Sequence, residues 1–280
     1  MSAAFELARM AVRALPPVRG KLRVARLAIR MFGPDAPARL PDRFGNRIWC
    51  PSLSEPIAAA LFAHGVYEPA TIKAILARLP TDGAYVDVGA NIGAIALPVA
   101  RRRPHARVVC VEADPEIAAT LRRNVAESGL GAVEVVERLA GAEAKAVGFY
   151  RAPADKFGMG SVGPQFDGAP VTLDQQPLDD ILDGLGLADV SVVKLDIEGA
   201  ELDALRGLAR RLAGPAPPAI VFEFNDWSEA RIDGRAPGDS QRYLASLGYM
   251  LREIGPDGRL TPLPAPLTAG GAMILAERTA

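Results

Sequence analysis

Residues 85–93 constrain the fold of this chain most, because a short apolar strand runs there into a turn with two glycines. Gly89 and Gly93 are separated by three residues, and an apolar, helix-compatible segment continues from Ile92 to Ala100. A strand, a glycine turn and a helix in this order predict the opening βα unit of a nucleotide-cofactor fold. Such folds bind the cofactor at the carboxyl ends of parallel strands.

The turn contains the pattern D-x-G-x-N-x-G, formed by Asp87, Gly89, Asn91 and Gly93. This is neither the G-x-G-x-x-G of a dinucleotide fingerprint nor the G-x-x-x-x-G-K-[ST] of a phosphate loop. Asp87 would repel a pyrophosphate but suits a cationic ligand. The pattern resembles motif I of the S-adenosylmethionine-dependent methyltransferases, whose cofactor carries a sulfonium and an ammonium group and no phosphate. The resemblance implies that these four residues contact that cofactor.

A second apolar strand follows at residues 108–111 and ends in Glu112, which lies 25 residues past Asp87 (112 − 87). In nucleotide-binding α/β folds an acid at about this distance takes the ribose hydroxyls. The alternative is a solvent-exposed glutamate at a strand end, and the glycine turn upstream favours the ribose role. Asp114 and Pro115 then indicate the start of a helix, as N-cap and first helical residue.

Composition limits the classes of function. The chain has 280 residues, a formal charge of −1 and a pI of about 6.2, so its charge gives no argument for a nucleic-acid partner. Its two cysteines, Cys50 and Cys110, form no metal or redox spacing. No apolar run approaches the ~20 residues of a membrane span, and no signal-peptide core is evident. We expect a cytoplasmic protein.

The N-terminal part differs in kind from the rest, and we divide the chain into an extension at 1–56 and a cofactor-binding domain at 57–280. Two basic helical segments are predicted before residue 33, interrupted at Pro16 and Pro17. A Pro/Gly-rich connector at 33–56 follows. Seven basic residues face only Glu6: Arg9, Arg13, Arg19, Lys21, Arg23, Arg26 and Arg30. A helical cap on the domain or an oligomer contact is favoured over a membrane-surface helix.

Residues 57–80 have helical periodicity with a break at Gly65. Tyr67 and Glu68 lie in this break, ahead of the glycine turn. Glu68 could meet the ammonium group of the cofactor, and Tyr67 could stack on it or hydrogen-bond to it. The alternative, equally favoured, is that Glu68 is an exposed residue at the start of the next helix.

A third strand at 133–136 leads to Ala140, whose small side chain would let the edge of an adenine approach the backbone. The glycine-rich stretch at 157–162 could close over a substrate, as mobile loops often do.

Acidic residues crowd the end of a fourth apolar strand at 190–195, where Asp196, Glu198 and Glu201 follow in quick succession. The next strand, at 219–222, leads to Glu223 and Asn225, which alternation places on one side. Like charges packed so closely need a cation, a proton or hydrogen bonds to compensate them. This cluster is therefore a candidate functional site.

These blocks together resemble the FkbM-type methyltransferase family, class I S-adenosylmethionine enzymes that mostly methylate oxygen. The resemblance covers roughly residues 65–225, and the stretch KLDIEGAE is its most specific part. In place of the family's Asn-Gly turn after the helix asparagine, this chain has Ser128-Gly129-Leu130. The matching segments are residues 65–68, VDVGANIG (86–93), VEADPE (111–116), residues 121–124, PLDD (177–180), VKLDIEGAELDAL (193–205) and Glu223.

The family's fold implies a Rossmann-like, three-layer α/β sandwich. Its mostly parallel seven-stranded sheet ends in an antiparallel hairpin. Two apolar segments suit that hairpin, at 249–254 and 272–276.

The resemblance implies S-adenosylmethionine as the cofactor, with contacts from Tyr67, Glu68, the glycine turn, Glu112, Ala140 and Asp196. The expected activity is methyl transfer to a hydroxyl of a small molecule, sugar or glycan, which needs a proton acceptor. Asp196 is favoured for that role over Glu198 and Glu223. The same region could instead bind a divalent metal through Asp196, Glu223 and Asn225, as oxygen ligands suit magnesium or calcium.

Two other functions are weighed against this one. Amino-methylating nucleic-acid enzymes of the fold carry Asn/Asp-Pro-Pro-Tyr/Phe after the fourth strand, where this chain has Asp196-Ile197-Glu198-Gly199. The acids would also repel phosphate. A non-catalytic binding or scaffold protein could retain the same fold, but the intact glycine turn and acidic cluster count against it.

Overall fold

The structure is a computed structural model that describes residues 2–278 except 17, 19, 34 and 35. The side chains at 154, 155 and 157 also fall outside the description. Four residues used in the sequence predictions are therefore not assessed: Pro17 of the helix break, Arg19 of the basic set, Pro34 of the connector and the side chain of Phe157.

Helices and strands alternate along most of the chain. The helices are α1 (Ala3–Ala14), α2 (Lys21–Phe32), α3 (Pro56–His64), α4 (Pro69–Arg78), α5 (Ala96–Arg102), α6 (Pro115–Glu127), α7 (Leu178–Gly184), α8 (Glu201–Gly207), α9 (Ala209–Ala213), α10 (Asp226–Glu229) and α11 (Asp239–Ser246), with a 3₁₀ helix at Ala154–Met159. The strands are β1 (Ala38–Pro41), β2 (Arg47–Cys50), β3 (Ala84–Val88), β4 (Arg107–Glu112), β5 (Glu134–Glu137), β6 (Leu139–Gly141), β7 (Lys145–Phe149), β8 (Val171–Pro177), β9 (Val192–Leu195), β10 (Ala219–Asn225), β11 (Met250–Ile254), β12 (Leu260–Pro262) and β13 (Gly271–Glu277).

The main sheet has the order β12-β11-β13-β10-β9-β3-β4-β5. Strands β5, β4, β3, β9 and β10 are parallel neighbours, whereas β13 and β11 run antiparallel at the other end. This confirms the predicted Rossmann-like architecture with its antiparallel hairpin. The sheet order changes direction between β3 and β9, the position at which open α/β sheets bind their ligands.

The sheet has eight strands rather than the predicted seven. The additional strand, β12, lies in the segment that joins the two hairpin strands, and it pairs with β11 from Leu260 to Pro262. A proline is tolerated there because β12 is at the edge of the sheet, where its missing N–H is not needed by a neighbour. The three residues of β12 are too few to show strand periodicity, and the prolines around them indicate a loop.

Alternation along the parallel strands separates two apolar cores, one on each face of the sheet. Tyr85, Val108 and Cys110 pack on one face with helices α3 to α6, and Val86 and Val109 pack on the other with α7 and α8. Strands buried on both faces require continuous apolar sequence. The result is the predicted three-layer sandwich.

A second sheet of three strands, β6-β8-β7, branches from the end of β5. The chain leaves the main sheet after Glu137 and re-enters extended structure at Leu139, which pairs with Gln175 of β8. Ala140 thus lies in the small sheet, beside the carboxyl end of the main one. Its position depends on pairing with β8, which is distant in sequence.

The predicted pair of N-terminal helices is present and packs into the same core as the domain. Phe5 of α1 contacts Phe62 of α3 with ring centroids 5.2 Å apart. The Arg13 guanidinium donates to the carbonyl groups of Pro41, Leu61 and Phe62, and so satisfies carbonyls at the C-terminus of α3. The extension is therefore anchored by both apolar and polar contacts.

The connector from residue 36 to residue 56 is more ordered than its proline content indicates, because β1 and β2 form an antiparallel hairpin. Asp42 organises the turn by accepting hydrogen bonds from the backbone N–H groups of Phe44 and Asn46, both at 2.8 Å. Such local aspartate turns replace backbone pairing where a sequence has little strand propensity. No helix in the described part of the chain is long and apolar enough to cross a bilayer.

One buried asparagine joins this hairpin to the glycine turn. Asn124 of α6 accepts from the Trp49 N–H at 2.7 Å and donates to the carbonyl groups of Trp49 and Ile92 at 3.2 and 2.9 Å. Its side chain is fully buried, so water cannot satisfy these polar groups if the hydrogen bonds are lost.

We expect Asn124→Ala to lower the free energy of unfolding by about 2–3 kcal/mol, since it leaves buried backbone groups without partners. Urea denaturation followed by circular dichroism measures this. Arg122→Ala is the matched control on the same helix, because its ion pair with Glu137 is solvent-exposed and such pairs contribute at most about 1 kcal/mol. Equal effects of the two substitutions would contradict the role given to Asn124.

Candidate active site

A buried lysine lies at the centre of the site. Lys194 of β9 is paired in register with Asp87 of β3, and their exposed fractions are 2% and 0%. The Lys194 Nζ lies 3.1 Å from Asp87 Oδ1 and 3.4 Å from Asp196 Oδ2. A charge buried this deeply requires a partner, so the ammonium group holds the ends of two adjacent strands together.

Burial disfavours the charged forms of both Asp87 and Lys194, but its net effect on their pKa values differs. It raises the pKa of Asp87, and Lys194 only partly offsets this. It acts to lower the pKa of Lys194, but Asp87, Asp196 and Glu68 together raise that pKa above its usual value. The Asp87 carboxylate is thus already compensated by a cation of the protein, an arrangement that the sequence prediction for Asp87 did not include.

The glycine turn brings β3 close to the end of β9. Gly89 has φ +73°, and a Cβ there would collide with the carbonyl oxygen of Asp196, so no larger residue fits. Asn91 has φ +50°, and its N–H donates to Glu112 Oε2 at 2.9 Å. Gly93 instead supports packing, because a Cβ there would meet the side chain of Leu121.

Glu112 is held firmly at the end of β4. Its two carboxylate oxygens accept from the N–H groups of Asn91 and Asp114 at 2.9 and 3.0 Å. Burial raises the pKa of Glu112 to about 7 despite these hydrogen bonds. Glu112 and Ala140 line a narrow slot beside Gly89, which Phe149 and the segment 158–162 also line.

A second cavity adjoins this slot and contains the acids of the fourth and fifth parallel strands. Asp196, Glu198 and Glu223 each bring a carboxylate oxygen within 4.8 Å of the others. Tyr67 lines the same cavity, while the neighbouring Glu68 accepts from Thr71 Oγ1 at 3.0 Å. The structure therefore brings together the acids that the sequence analysis singled out.

Burial and neighbouring charges raise the pKa values of three glutamates around this cavity. Burial, followed by the neighbouring charges of Asp196 and Glu198, raises the pKa of Glu223 to about 10. Burial and then Asp196 raise the pKa of Glu198 to about 7. Burial and Asp196 also raise the pKa of Glu68. Within the described residues this cavity holds more carboxyl groups than Lys194 compensates, so it favours a cation or protons.

The composition of the acidic cluster differs from the metal set considered in the sequence analysis. The Asn225 Oδ1 accepts from the N–H groups of Trp227 and Ser228 and so caps α10. The Glu198 carboxylate also lies beside those of Asp196 and Glu223. Alternation along the strand places Asn225 on the same side as Glu223. It does not reveal that the Asn225 side chain caps the helix that follows.

The turn after β9 has a strained backbone that hydrogen bonds hold in place. Glu198 has φ +55°, a conformation costly for a residue with a side chain. The Glu201 Oε1 accepts from the Ile197 N–H at 2.9 Å. The Ser161 Oγ and the Gln165 Nε2 both donate to the Glu198 carbonyl at 2.8 Å. The predicted glycine-rich loop at 157–162 is therefore hydrogen-bonded, through Ser161, to the turn that contains Glu198.

Sequence reasoning assigned no role to Lys194, Ser161 or Gln165. A lysine inside an otherwise apolar strand was the available signal for Lys194, because a buried ammonium needs acidic neighbours. Ser161 and Gln165 gave no comparable signal, since their partner is a backbone carbonyl that only the folded chain brings near.

A mostly parallel sheet of this order, a glycine turn after the first parallel strand and an acid at the end of the second agree with the Rossmann-like fold of class I methyltransferases. The model of the Methyltransferase FkbM domain family matches residues 87–251, more than half of the chain. The chain belongs to the FkbM family of S-adenosylmethionine-dependent methyltransferases.

Several similar proteins of known sequence carry methyltransferase names. Methyltransferase sdnD of Sordaria araneosa is 28% identical over 163 residues, which are 48% of this chain and 63% of that protein. The match thus spans less than two thirds of the Sordaria protein. The 2-O-methyltransferase NoeI of Sinorhizobium fredii (strain NBRC 101917 / NGR234) is 25% identical over 198 residues, 63% of this chain and 78% of NoeI. The crystal structure of methyltransferase FkbM from Methylobacillus flagellatus KT is 18% identical with a TM-score of 0.47, covering 98% of this chain and 58% of that one.

We expect Lys194→Met to destabilise the protein by about 3–5 kcal/mol, because it leaves the carboxylate of Asp87 buried without its cation. The double variant Asp87→Asn/Lys194→Met should recover most of that loss, since no uncompensated charge remains in the pair. Chemical denaturation measures both. A double variant as unstable as the single one would show that packing, not charge, explains the effect.

We expect the cofactor-free protein to lose stability as the pH rises from about 5 to about 10, because the folded state holds protons on acids that the unfolded chain releases near 4.5. Glu223, with a pKa of about 10, and Glu201, with a pKa of about 8, carry the largest part of this loss. Glu223→Gln should flatten the dependence, whereas the exposed Glu116→Gln should not. The measurement is the free energy of unfolding in urea across this pH range, and a flat wild-type profile would be the contrary result.

Proposed function

We propose that this protein transfers a methyl group from S-adenosylmethionine to a hydroxyl oxygen of a small molecule, sugar or glycan. The observation that carries the proposal is the acidic cluster of Asp196, Glu198 and Glu223, which adjoins the glycine turn at the carboxyl ends of β9 and β10. Groups that can accept or donate a proton thus lie beside the predicted cofactor slot.

The residues around the glycine turn fit the cofactor that the family uses. Glu112 retains free lone pairs for the ribose hydroxyls beyond the two backbone hydrogen bonds it accepts, and Ala140 leaves room beside the slot. Glu68 and Tyr67 suit an ammonium group. Asp87 acts indirectly, because it holds the Lys194 ammonium group near Glu68. The excess of carboxyl groups complements a cationic ligand and disfavours a phosphate. When bound, S-adenosylmethionine would supply an electrophilic methyl group on its sulfonium.

The protein's own task is then to position a hydroxyl group and remove its proton. Asp196 is the acceptor that we favour, because it faces the cavity while Lys194 lies 3.4 Å behind it. With a pKa of about 10, Glu223 keeps its proton at neutral pH and can donate a hydrogen bond to the acceptor molecule. Glu198, with a pKa of about 7, is suited to exchange protons between the cavity and solvent.

Oxygen is favoured as the methylated atom on two grounds. One relative is named a 2-O-methyltransferase, and the turn after β9 lacks the Pro-Pro motif of amino-methylating enzymes. An acidic cavity also disfavours nucleic acid as the substrate. A divalent cation on Asp196, Glu223 and Asn225 stays a prediction, because three hard oxygen atoms suit magnesium or calcium.

We expect the wild-type protein to bind S-adenosylhomocysteine with micromolar affinity in calorimetric titrations. The affinity of Glu112→Gln should be at least roughly ten-fold lower, because this variant loses a charge-assisted acceptor for the ribose. Glu116→Gln is the control four residues along, where the side chain is exposed. Titration with chelator tests the cation, since loss of affinity would support it. Wild-type affinity in Glu112→Gln would contradict the assigned slot.

Asp196→Asn should separate binding from turnover in the same protein. We expect its affinity for S-adenosylhomocysteine to change little, while transfer of labelled methyl to a panel of monosaccharides, oligosaccharides and phenols falls roughly 100-fold or more. Methyl transfer by Asp196→Asn at the wild-type rate would remove Asp196 from the role of base. Binding without transfer to any hydroxyl compound would favour the scaffold function.

A further inference from the structure

The N-terminal helices expose most of the large apolar side chains that lie on the surface of the described chain. Of twelve such residues, nine fall between residues 7 and 32. They are Leu7, Met10, Leu15, Val18, Leu22, Val24, Leu27, Met31 and Phe32. A concentration of this kind marks a site of interaction with another molecule or a membrane.

Helix α1 is inverted relative to an ordinary surface helix. Its exposed residues are all apolar, and Leu7 and Met10 among them are 67% and 61% exposed. Its polar residues turn inward instead: Arg9 pairs with Glu6, and Arg13 binds carbonyls at the end of α3. Exposure of an apolar outer face to water is unfavourable, so we expect this face to contact an apolar surface.

Helix α2 carries three separate stripes. Lys21, Ala25 and Ile29 face the core. Arg23, Arg26 and Arg30 recur at i, i+3 and i+7 and are all exposed. Val24, Leu27 and Met31 follow the same spacing one residue later, with exposed fractions of 45%, 58% and 64%. One side of α2 therefore presents arginines beside a second apolar stripe that covers no part of the protein.

The charge on this surface has one sign. No aspartate or glutamate occurs between residues 7 and 34. None of Arg23, Arg26 and Arg30 forms an ion pair with a residue that the structure describes. Apolar side chains next to uncompensated arginines are typical of helices that lie in the interface of an anionic bilayer.

We propose that the exposed face of α1 and α2, called here the N-terminal surface, docks on an anionic lipid bilayer. The arginines of α2 contact lipid phosphates, and Leu27 and Met31 enter the apolar edge of the interface. Twelve residues make a helix of about 18 Å, too short to cross a hydrocarbon core of about 30 Å. The helices therefore lie on the membrane.

A second copy of the chain fits this surface less well. A two-fold dimer brings the same patch of both subunits together, so the arginine stripes, which form no ion pairs with described residues, would approach each other. Lipid phosphates supply the missing negative charge. Anchoring by Phe5, Arg13 and Lys21 makes the surface rigid, so docking would fix the orientation of the whole domain.

Vesicle flotation of the full chain tests the proposal, with vesicles of phosphatidylcholine alone and vesicles that also contain phosphatidylglycerol. We expect binding that requires phosphatidylglycerol and weakens as salt is added. Arg26→Gln/Arg30→Gln should lower the partition coefficient roughly 30-fold, from about 1 kcal/mol for each arginine. Leu27→Ser/Met31→Ser should lower it at least about ten-fold through lost apolar burial.

The matched control is Lys73→Gln/Lys145→Gln, which removes the same net charge from other exposed positions and should leave partition nearly unchanged. All variants should keep the wild-type melting temperature and bind S-adenosylhomocysteine as the wild type does. Failure of the wild type to bind phosphatidylglycerol vesicles would overturn the proposal, as would an equal loss in the lysine control. Self-association that Leu27→Ser/Met31→Ser abolishes, without vesicle binding, would assign the surface to a second copy and also overturn it.

Discussion

The buried ammonium group of Lys194 is the interaction on which the site depends. It lies between Asp87 at the end of β3 and Asp196 at the end of β9, and so compensates charge at the point where the sheet order reverses. Without it the two strand ends would repel each other across the glycine turn, where Gly89 brings the backbones into contact. The lysine does not compensate Glu198 and Glu223, which therefore have raised pKa values. The protein thus maintains a cavity that attracts cations and holds protons.

Sequence reasoning succeeded where one short segment carries the constraint. The parallel strands have continuous apolar sequence, and the glycine turn, Glu112 and the acids after β9 and β10 each end a strand. Since parallel strands end at one edge of a sheet, these residues had to converge. The same reasoning located the two N-terminal helices, because their apolar periodicity is local.

Features that depend on distant partners could not be predicted in this way. The pairing of Lys194 with Asp87 depends on the register between β3 and β9. The use of the Asn225 side chain as a helix cap depends on the start of α10. Strand β12 and the hairpin of β1 and β2 contain prolines or charged residues that indicate loops, and pairing with a neighbour overrides this preference. Ser161 and Gln165 were missed because they bind the backbone of Glu198 rather than a side chain.

The central claim is that a cationic cofactor binds beside an acidic cluster in which Glu223 is protonated. Calorimetric titration at about pH 8 with S-adenosylmethionine and with S-adenosylhomocysteine, in buffers of different ionisation enthalpy, tests this through the protons released. The positive sulfonium lowers the pKa of nearby acids, so the account predicts binding of both ligands and more protons released by S-adenosylmethionine. Glu223→Gln should reduce that difference. Absence of binding, or equal proton release by the two ligands, would contradict the account.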